Sequence, residues 1–488
     1  MAQGIHSRMW VAAFAIGCFV TAAFADDADD RQRPTTPQFH NARNDSGVAT
    51  TISTNGFIDR RNPFFQDLGV NGRSCVTCHQ PKDGWTITPQ GVRDRFDASR
   101  GNESLFRLND GANSPRADVS TLQARERAYS MLLSKGLIRV GIGIPANAEF
   151  ELVGVDDPYG FASASELSLF RRPLPTTNLR FLNTVMWDGR ETFTDSASPI
   201  CLKDAIPAKC FSSLHFDLAD QSNGATVGHA QGILPLTPTQ RDAIVDFELG
   251  IVTAQQRDDA AGRLSVQGAN GGPSFLSGVV SYFGINDTVK GDYLTNLNFT
   301  PNVMSLYQGW QSYIPDARRE DAEGRDRSVA VARRAIARGQ ALFNSKPITI
   351  TGVKGLNDDL GAPVIPGTCT TCHNTPNAGN HSVPMPLDIG LTDVGRRTPD
   401  LPLYTLRNKL SLATVQTSDP GRALVSGRWK DIGRFKGPTL RALASRAPYF
   451  HNGSAKDLNE VVRFYNERFG IGFTDQERDD VVAFLKAL

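Results

Sequence analysis

Cys75-Val-Thr-Cys-His79 and Cys369-Thr-Thr-Cys-His373 spell one pattern, C-x-x-C-H, twice in a single chain. In this pattern two thiols form thioethers with porphyrin vinyl groups, and the adjacent His is placed to ligate the iron. Two copies therefore imply two covalently bound c-type haems, held by Cys75, Cys78 and His79 and by Cys369, Cys372 and His373. Zinc binding and thiol–disulfide exchange are the competing uses of a C-x-x-C pair. A zinc site needs further paired ligands nearby. Past Lys82 and outside the second motif, the remaining Cys and His are Cys201, Cys210, His215, His229, His381 and His451. A His directly after the second Cys, present both times, decides for haem.

Outward from the motifs, the chain opens with MAQGIHSRMWVAAFAIGCFVTAAFADD. Arg8 precedes an apolar run and AFA precedes Asp26, the layout of a secretory signal over residues 1–25, so a periplasmic location is expected. No later stretch is long and apolar enough to span a bilayer. The chain has 52 Lys and Arg against 51 Asp and Glu, and loss of the leader with Arg8 makes them equal. Such balance argues against nucleic acid or an anionic membrane as partner. Of seven Cys, one lies in the leader and four in the motifs, which leaves Cys201 and Cys210. A disulfide is their expected fate in an oxidising compartment, with two free buried thiols as the alternative.

Residues 26–50 are polar, contain RQRPTTPQ, and read as a disordered lead-in. After the first motif the sequence is rich in Gly, Asn and Pro, so short helices and loops are expected. TPTQRDAIVDFELGI from Thr237 and FTDQERDDVVAFLKAL from Phe473 both open on a capping box and continue with apolar residues at helical spacing. RDAIVDF aligns on RDDVVAF, and each segment lies downstream of one motif. An internal duplication follows, with domains at 51–325 and 326–488 separated by the charged stretch DARREDAEGRDRS.

Two more strings carry a resemblance: LNTVMWDGRE, ending at Glu191, and FKGPTLRALASRAPYFHNGSAKDLNEVVRFYNER, from Phe435 to Arg468. With the two haem motifs they resemble the bacterial di-haem cytochrome c peroxidase and MauG family, over most of residues 55–488. The resemblance implies a mainly α fold of two cytochrome c-type haem domains with long loop-rich insertions. It implies a peroxide-reactive haem in the first domain and an electron-transfer haem in the second. His79 and His373 become proximal ligands, and Trp187 becomes the residue between the haems. The second haem's sixth ligand falls at Tyr465, as in MauG-like members, with Met385 as the rival. A phenolate ligand would hold that iron low in potential, and Met would raise it.

Other departures bear on mechanism. Many family peroxidases cap the resting first iron with a His soon after the motif, but none occurs between His79 and His215, so an open first iron is expected. Where the family has Gln and, ten positions on, an acid–base Glu, this chain has Gln221 and Gln231. An amide cannot shuttle protons, so His229 or Glu191 is the expected proton carrier. His451 matches a family residue near the second haem. An inter-haem calcium is in doubt because Arg172 and Arg446 stand where the family usually has Asn and Thr. The expected activity is reduction of hydrogen peroxide with electrons from a small redox protein, a cytochrome c or a cupredoxin; a homodimer is also considered. The alternatives are a MauG-like or rubber-oxygenase-like oxidase acting on a protein residue or an apolar substrate, and a pure di-haem electron carrier.

Overall fold

The computed structural model describes residues 39–192, 214–312 and 325–488. The leader, Cys201 and Cys210, and most of the charged linker lie outside the described residues. Both capping boxes read from the sequence are formed. Thr237 accepts from Gln240 N at the start of the helix Pro238–Gly250, and Thr474 accepts from Glu477 N at the start of Asp475–Lys486. Each satisfies backbone N–H groups that would otherwise be orphaned at a helix start.

The two C-x-x-C-H segments are near copies in space. Each forms a single 3-10 turn in which the His N–H donates to the first Cys carbonyl, at 3.1 Å for His79 and 3.2 Å for His373. In each, the residue before the first Cys donates its N–H to a Thr hydroxyl three positions on: Ser74 to Thr77 at 3.0 Å, Thr368 to Thr371 at 2.9 Å. Behind each His stands a Phe that also touches the capped helix. Phe64 lies between His79 and Phe247, with ring centroids at 6.4 and 4.9 Å. Phe343 lies between His373 and Phe484, at 6.1 and 5.6 Å. The duplication read from RDAIVDF and RDDVVAF thus extends to the packing around both motifs.

In the C-terminal half the long helix Arg325–Ser345 crosses Asp475–Lys486 at close range. A Cβ on Gly339 would sit 1.9 Å from the Asp480 carbonyl oxygen, so only glycine admits this approach. Arg338 clamps the crossing with two bonds of 2.7 Å to the Asp480 carboxylate.

The expectation of a mainly α chain is not clearly confirmed. Among the described residues helix accounts for 32% and strand for 18%. A four-stranded sheet runs Phe39–Asn44, Gly47–Ser53, Ile251–Asp258, Gly262–Arg263, with antiparallel pairing throughout. The lead-in expected to be disordered to residue 50 is therefore a hairpin from Phe39 onward. Its second strand, GVATTIS, is rich in β-branched residues and almost wholly buried. A three-stranded sheet joins the halves, pairing Phe150–Asp156 with Leu403–Asn408, which pairs in turn with Thr414–Thr417. Hydrophobic residues from Ala261 to Trp310 share one core with residues Ile336 to Leu488.

Candidate functional site

Each motif opens onto its own cavity. In the first, His79 is oriented by Trp85: Nδ1 donates to the Trp85 carbonyl at 3.1 Å. Trp85 is fully buried and donates Nε1 to Thr51 at 2.8 Å, so the N-terminal hairpin helps to fix this ring. In the second, His373 Nδ1 donates to the Gly379 carbonyl at 2.5 Å, again six positions on. In both rings Nδ1 is held by a backbone carbonyl, the arrangement in which a second hydrogen bond sets the ligating tautomer. Burial holds both imidazoles below the ordinary range, His79 at about 4, so both are neutral. Burial likewise pushes all four motif thiols up, to about 11 for Cys78 and about 12 for the others. Among the described residues no group of three or more His, Cys, Asp and Glu could hold a metal ion, which leaves no donor set for a zinc site. Paired thiols and a neutral, oriented His on the wall of a largely apolar cavity, occurring twice, fit haem c.

Trp187 lines both cavities. Its Nε1 donates to the Arg172 carbonyl at 2.8 Å, and its own carbonyl accepts from Lys436 N at 2.9 Å. The following Asp188 is fully buried against Arg171, whose guanidinium also grips Asp419 at 2.7 and 2.9 Å. Arg422 donates to the Asp188 and Gly189 carbonyls at 3.0 Å each. The WDGR loop is thereby pinned to the C-terminal half. Next to Trp187, His451 stacks on Phe435 with centroids 3.9 Å apart and lies edge-on to Trp187 at 6.2 Å. His451 is 1% exposed, lines the second cavity, and neither ring nitrogen has a hydrogen-bond partner among the described residues.

Tyr465 lies on the wall of the second cavity with Cys369, Cys372 and His373, on the helix Leu458–Phe469 with Val461 and Val462. Burial drives its phenol well above the usual range. Met385 is buried in the C-terminal core and is not among the residues lining that cavity.

The first cavity also brings Gln221 and His229 to its wall. Gln231 does not line it. That residue is exposed, has φ of 55°, and accepts from Asn71 Nδ2 at 3.3 Å. Glu191 is also off the wall; burial and the neighbouring Asp220 carboxyl hold it above the usual carboxylate range. His229 is held instead by residues the sequence did not flag. Its Nδ1 donates to Asp110 Oδ2 at 2.5 Å, while Asp110 Oδ1 accepts from Arg73 Nη1 at 2.5 Å. Burial opposes ionisation of Asp110, but the bonds from His229 and Arg73 outweigh it and hold the carboxyl below the usual range. Arg73 Nη1 and Asn71 Nδ2 also donate to the His229 carbonyl, at 3.1 and 2.8 Å.

Arg172 and Arg446, which put an inter-haem calcium in doubt, both line the first cavity and both donate to backbone carbonyls. The guanidinium of Arg172 donates to the carbonyls of Lys135, Ile87 and Arg446, and that of Arg446 to those of Ala442, Thr439 and Arg441.

No family model matches the chain. It is 27% identical over 270 residues to Cytochrome-c peroxidase IdrP1 of Pseudomonas sp. (strain SCT), covering 50% of this chain and 63% of that one. It is 33% identical over 143 residues to Cytochrome-c peroxidase IdrP1 of Denitromonas iodatirespirans, covering 25% of this chain and 36% of the relative. Cytochrome c551 peroxidase of Nitrosomonas europaea is 31% identical over 121 residues, covering 25% of this chain and 30% of the relative. The chain thus spans less than two thirds of the length of these relatives. A solved structure of a MauG-like protein associated with microbial copper homeostasis aligns over 88% of this chain and 87% of that one at 16% identity, with a TM-score of 0.35, too low to carry an argument.

Proposed function

We propose that this chain, whose similarities support assignment to the di-haem cytochrome c peroxidase and MauG family, is a di-haem peroxidase that reduces hydrogen peroxide in its first cavity. The observation that carries this reading is the pair of matched motif cavities with Trp187 on the wall of both. Haem supplies the redox-active iron when bound; Cys75, Cys78 and His79 would hold one, and Cys369, Cys372, His373 and Tyr465 the other. His229 supplies the acid–base group. Its Nδ1–H is fixed on Asp110, so Nε2 can take a proton from one peroxide oxygen and return it to the other. Arg73 and Asp110 act through His229 as positioning residues, while Gln221 adds an uncharged hydrogen-bonding group to the same wall. Reduction of one peroxide to two waters consumes two electrons and two protons. Trp187, with His451 and Phe435 stacked beyond it, offers the aromatic bridge for electrons arriving through the second cavity.

The N-terminal leader supports a periplasmic setting, where a small cytochrome c or cupredoxin is the electron donor by chemical class. Among the described residues no helix is long and apolar enough to cross a membrane. Against a pure electron carrier stands the built Asp110–His229 pair on the first cavity wall, which electron transfer alone does not need.

The resting ferric spectrum tests the reading together with a haem assay. The expected result is two haems per chain retained after acid–acetone treatment, one high-spin and one low-spin. Haem that extracts, or two low-spin haems unresponsive to peroxide, would overturn it.

A further inference from the structure

The repeat alignment pairs Ile244 with Val481 and Glu248 with Leu485. All four line a cavity: Ile244 and Glu248 the first, Val481 and Leu485 the second. At one position of a duplicated helix, the second cavity therefore has leucine and the first has a glutamic acid. Glu248 is 4% exposed, and its Oε2 has no hydrogen-bond partner among the described residues. A buried acid without a partner costs stability that leucine would not. Structure alone gives no reason to keep it there.

We infer that Glu248 is the redox-linked proton site of the first cavity: its carboxylate takes up one proton from solvent when the haem bound there gains one electron, and releases it when that electron leaves. The inference rests on the reading that this cavity holds a haem. The physical basis is mutual. Adding an electron removes one unit of positive charge from the haem, so a carboxylate facing it binds its proton more tightly. Burial pushes Glu248 up to about 8, which puts its titration within reach of neutral pH. His229 offers a route to water, because its side chain lines the same cavity and is 42% exposed.

The surrounding charges leave Glu248 as the free group. Burial is the resolved influence on it, and Cys75, packed against the cluster that holds Ile244 and Phe247 of the same helix, is a titratable group that senses it. The helix Leu214–Gly228, packed alongside, brings His215, Asp217 and Asp220. The turn Leu179–Phe181 brings Arg180, and the strand Ile251–Asp258 brings Arg257 and Asp258. Asp242 and Asp246, on its own helix, are exposed, and Arg241 is half-buried. On the cavity wall Asp110 is engaged by Arg73 and His229, and Arg171 by Asp188 and Asp419. Arg190 also faces Asp188, while Arg172, Arg446 and Lys436 donate to carbonyls.

The test is a spectroelectrochemical titration of the haem-loaded full chain with small mediators and no peroxide, across about pH 6 to 10. In the wild type the first haem's redox equilibrium should shift by up to tenfold per pH unit near pH 8, about 59 mV for a one-electron couple, falling as pH rises. Glu248→Gln, and Glu248→Leu as the copy of Leu485, should remove that slope. The reduced-minus-oxidised infrared difference should lose a protonated-carboxyl band in both variants. His229→Gln should keep the slope. A wild type without a slope, a slope surviving in both Glu248 variants, or one lost in His229→Gln would overturn the inference. The haem propionates or His229 would then be the source. Because no peroxide is used, failure here leaves the peroxidase reading standing, and failure of that reading appears separately in the haem count.

Discussion

Replacing Asp110 with Asn keeps the shape of the side chain and removes its charge. In the native chain two donors converge on this carboxylate, Arg73 Nη1 and His229 Nδ1, each at 2.5 Å. An amide has one oxygen to offer them. An NH2 turned toward the guanidinium would set donor against donor at a buried cation, so the introduced amide presents its oxygen to Arg73 and its NH2 to His229 Nδ1. That drives the imidazole proton onto Nε2, the tautomer that cannot accept a proton from peroxide. General acid–base catalysis is worth about 10²–10⁴ in rate, so a loss of about 10² in kcat/KM for peroxide is expected, or about 2.7 kcal/mol of barrier. Stability should fall as well. Removing one partner of a buried ion pair costs about 3–5 kcal/mol, and the lower end applies because Arg73 retains the carbonyls of Ser104, Leu105 and His229. The stabilisation has a defined pH range. With its pKa held below the unfolded value, Asp110 contributes fully above about pH 4, and the contribution is lost as pH falls through the lower folded value. Stopped-flow peroxide kinetics and denaturant unfolding at matched haem content measure both. A variant that loses stability yet keeps kcat/KM within threefold of wild type would refute the role of the Asp110–His229 pair and leave it a purely structural contact.

Trp187→Phe should keep both haems while slowing electron transfer between them, as read by flash reduction of the second haem; it also loses the bond to the Arg172 carbonyl, worth about 1 kcal/mol. Tyr465→His should change the spectrum and raise the potential of the second haem, whereas Met385→Leu should leave both where they were; the reverse pattern would make Met385 the ligand. Gly339→Ala should destabilise the C-terminal half by about 3 kcal/mol, at the top of the range for overpacking, because its Cβ meets backbone that cannot rotate away; denaturant unfolding monitored at the second haem reports it.

What the sequence made legible was local. C-x-x-C-H, the capping boxes at Thr237 and Thr474, and the helical spacing that brings Tyr465 beside Val461 and Val462 all depend on residues within a turn or two. The hairpin at Phe39–Ser53 was missed because its polar composition becomes strand only against Ile251–Asp258, about two hundred positions away. The grip of Asp110 on His229 spans 119 positions and that of Arg171 on Asp419 spans 248, and no local pattern announces either. Glu248 was visible as a letter but not as an anomaly. An acid on an amphipathic helix ordinarily faces water, and only the cavity wall reveals that this one does not. The strand content went unread for a related reason: strands that join distant segments leave weaker marks than helices that close on themselves.

The buried state of the four motif thiols has a consequence for the order in which the molecule matures. In the folded chain these thiols lie between about 11 and about 12. At neutral pH a thiol at 12 is ionised about once in 10⁵, against about three times in a hundred for a free cysteine near 8.5. Under the proposed function, thioether formation at Cys75, Cys78, Cys369 and Cys372 would therefore belong to the open polypeptide. The strand Gly47–Ser53 meets its partner only after a loop of about two hundred residues has closed, and pairings of that separation form slowly. The same long-range topology that hid the hairpin from the sequence thus keeps the first attachment site accessible while the chain is young. On the proposed reading, folding would then close over attachment already made.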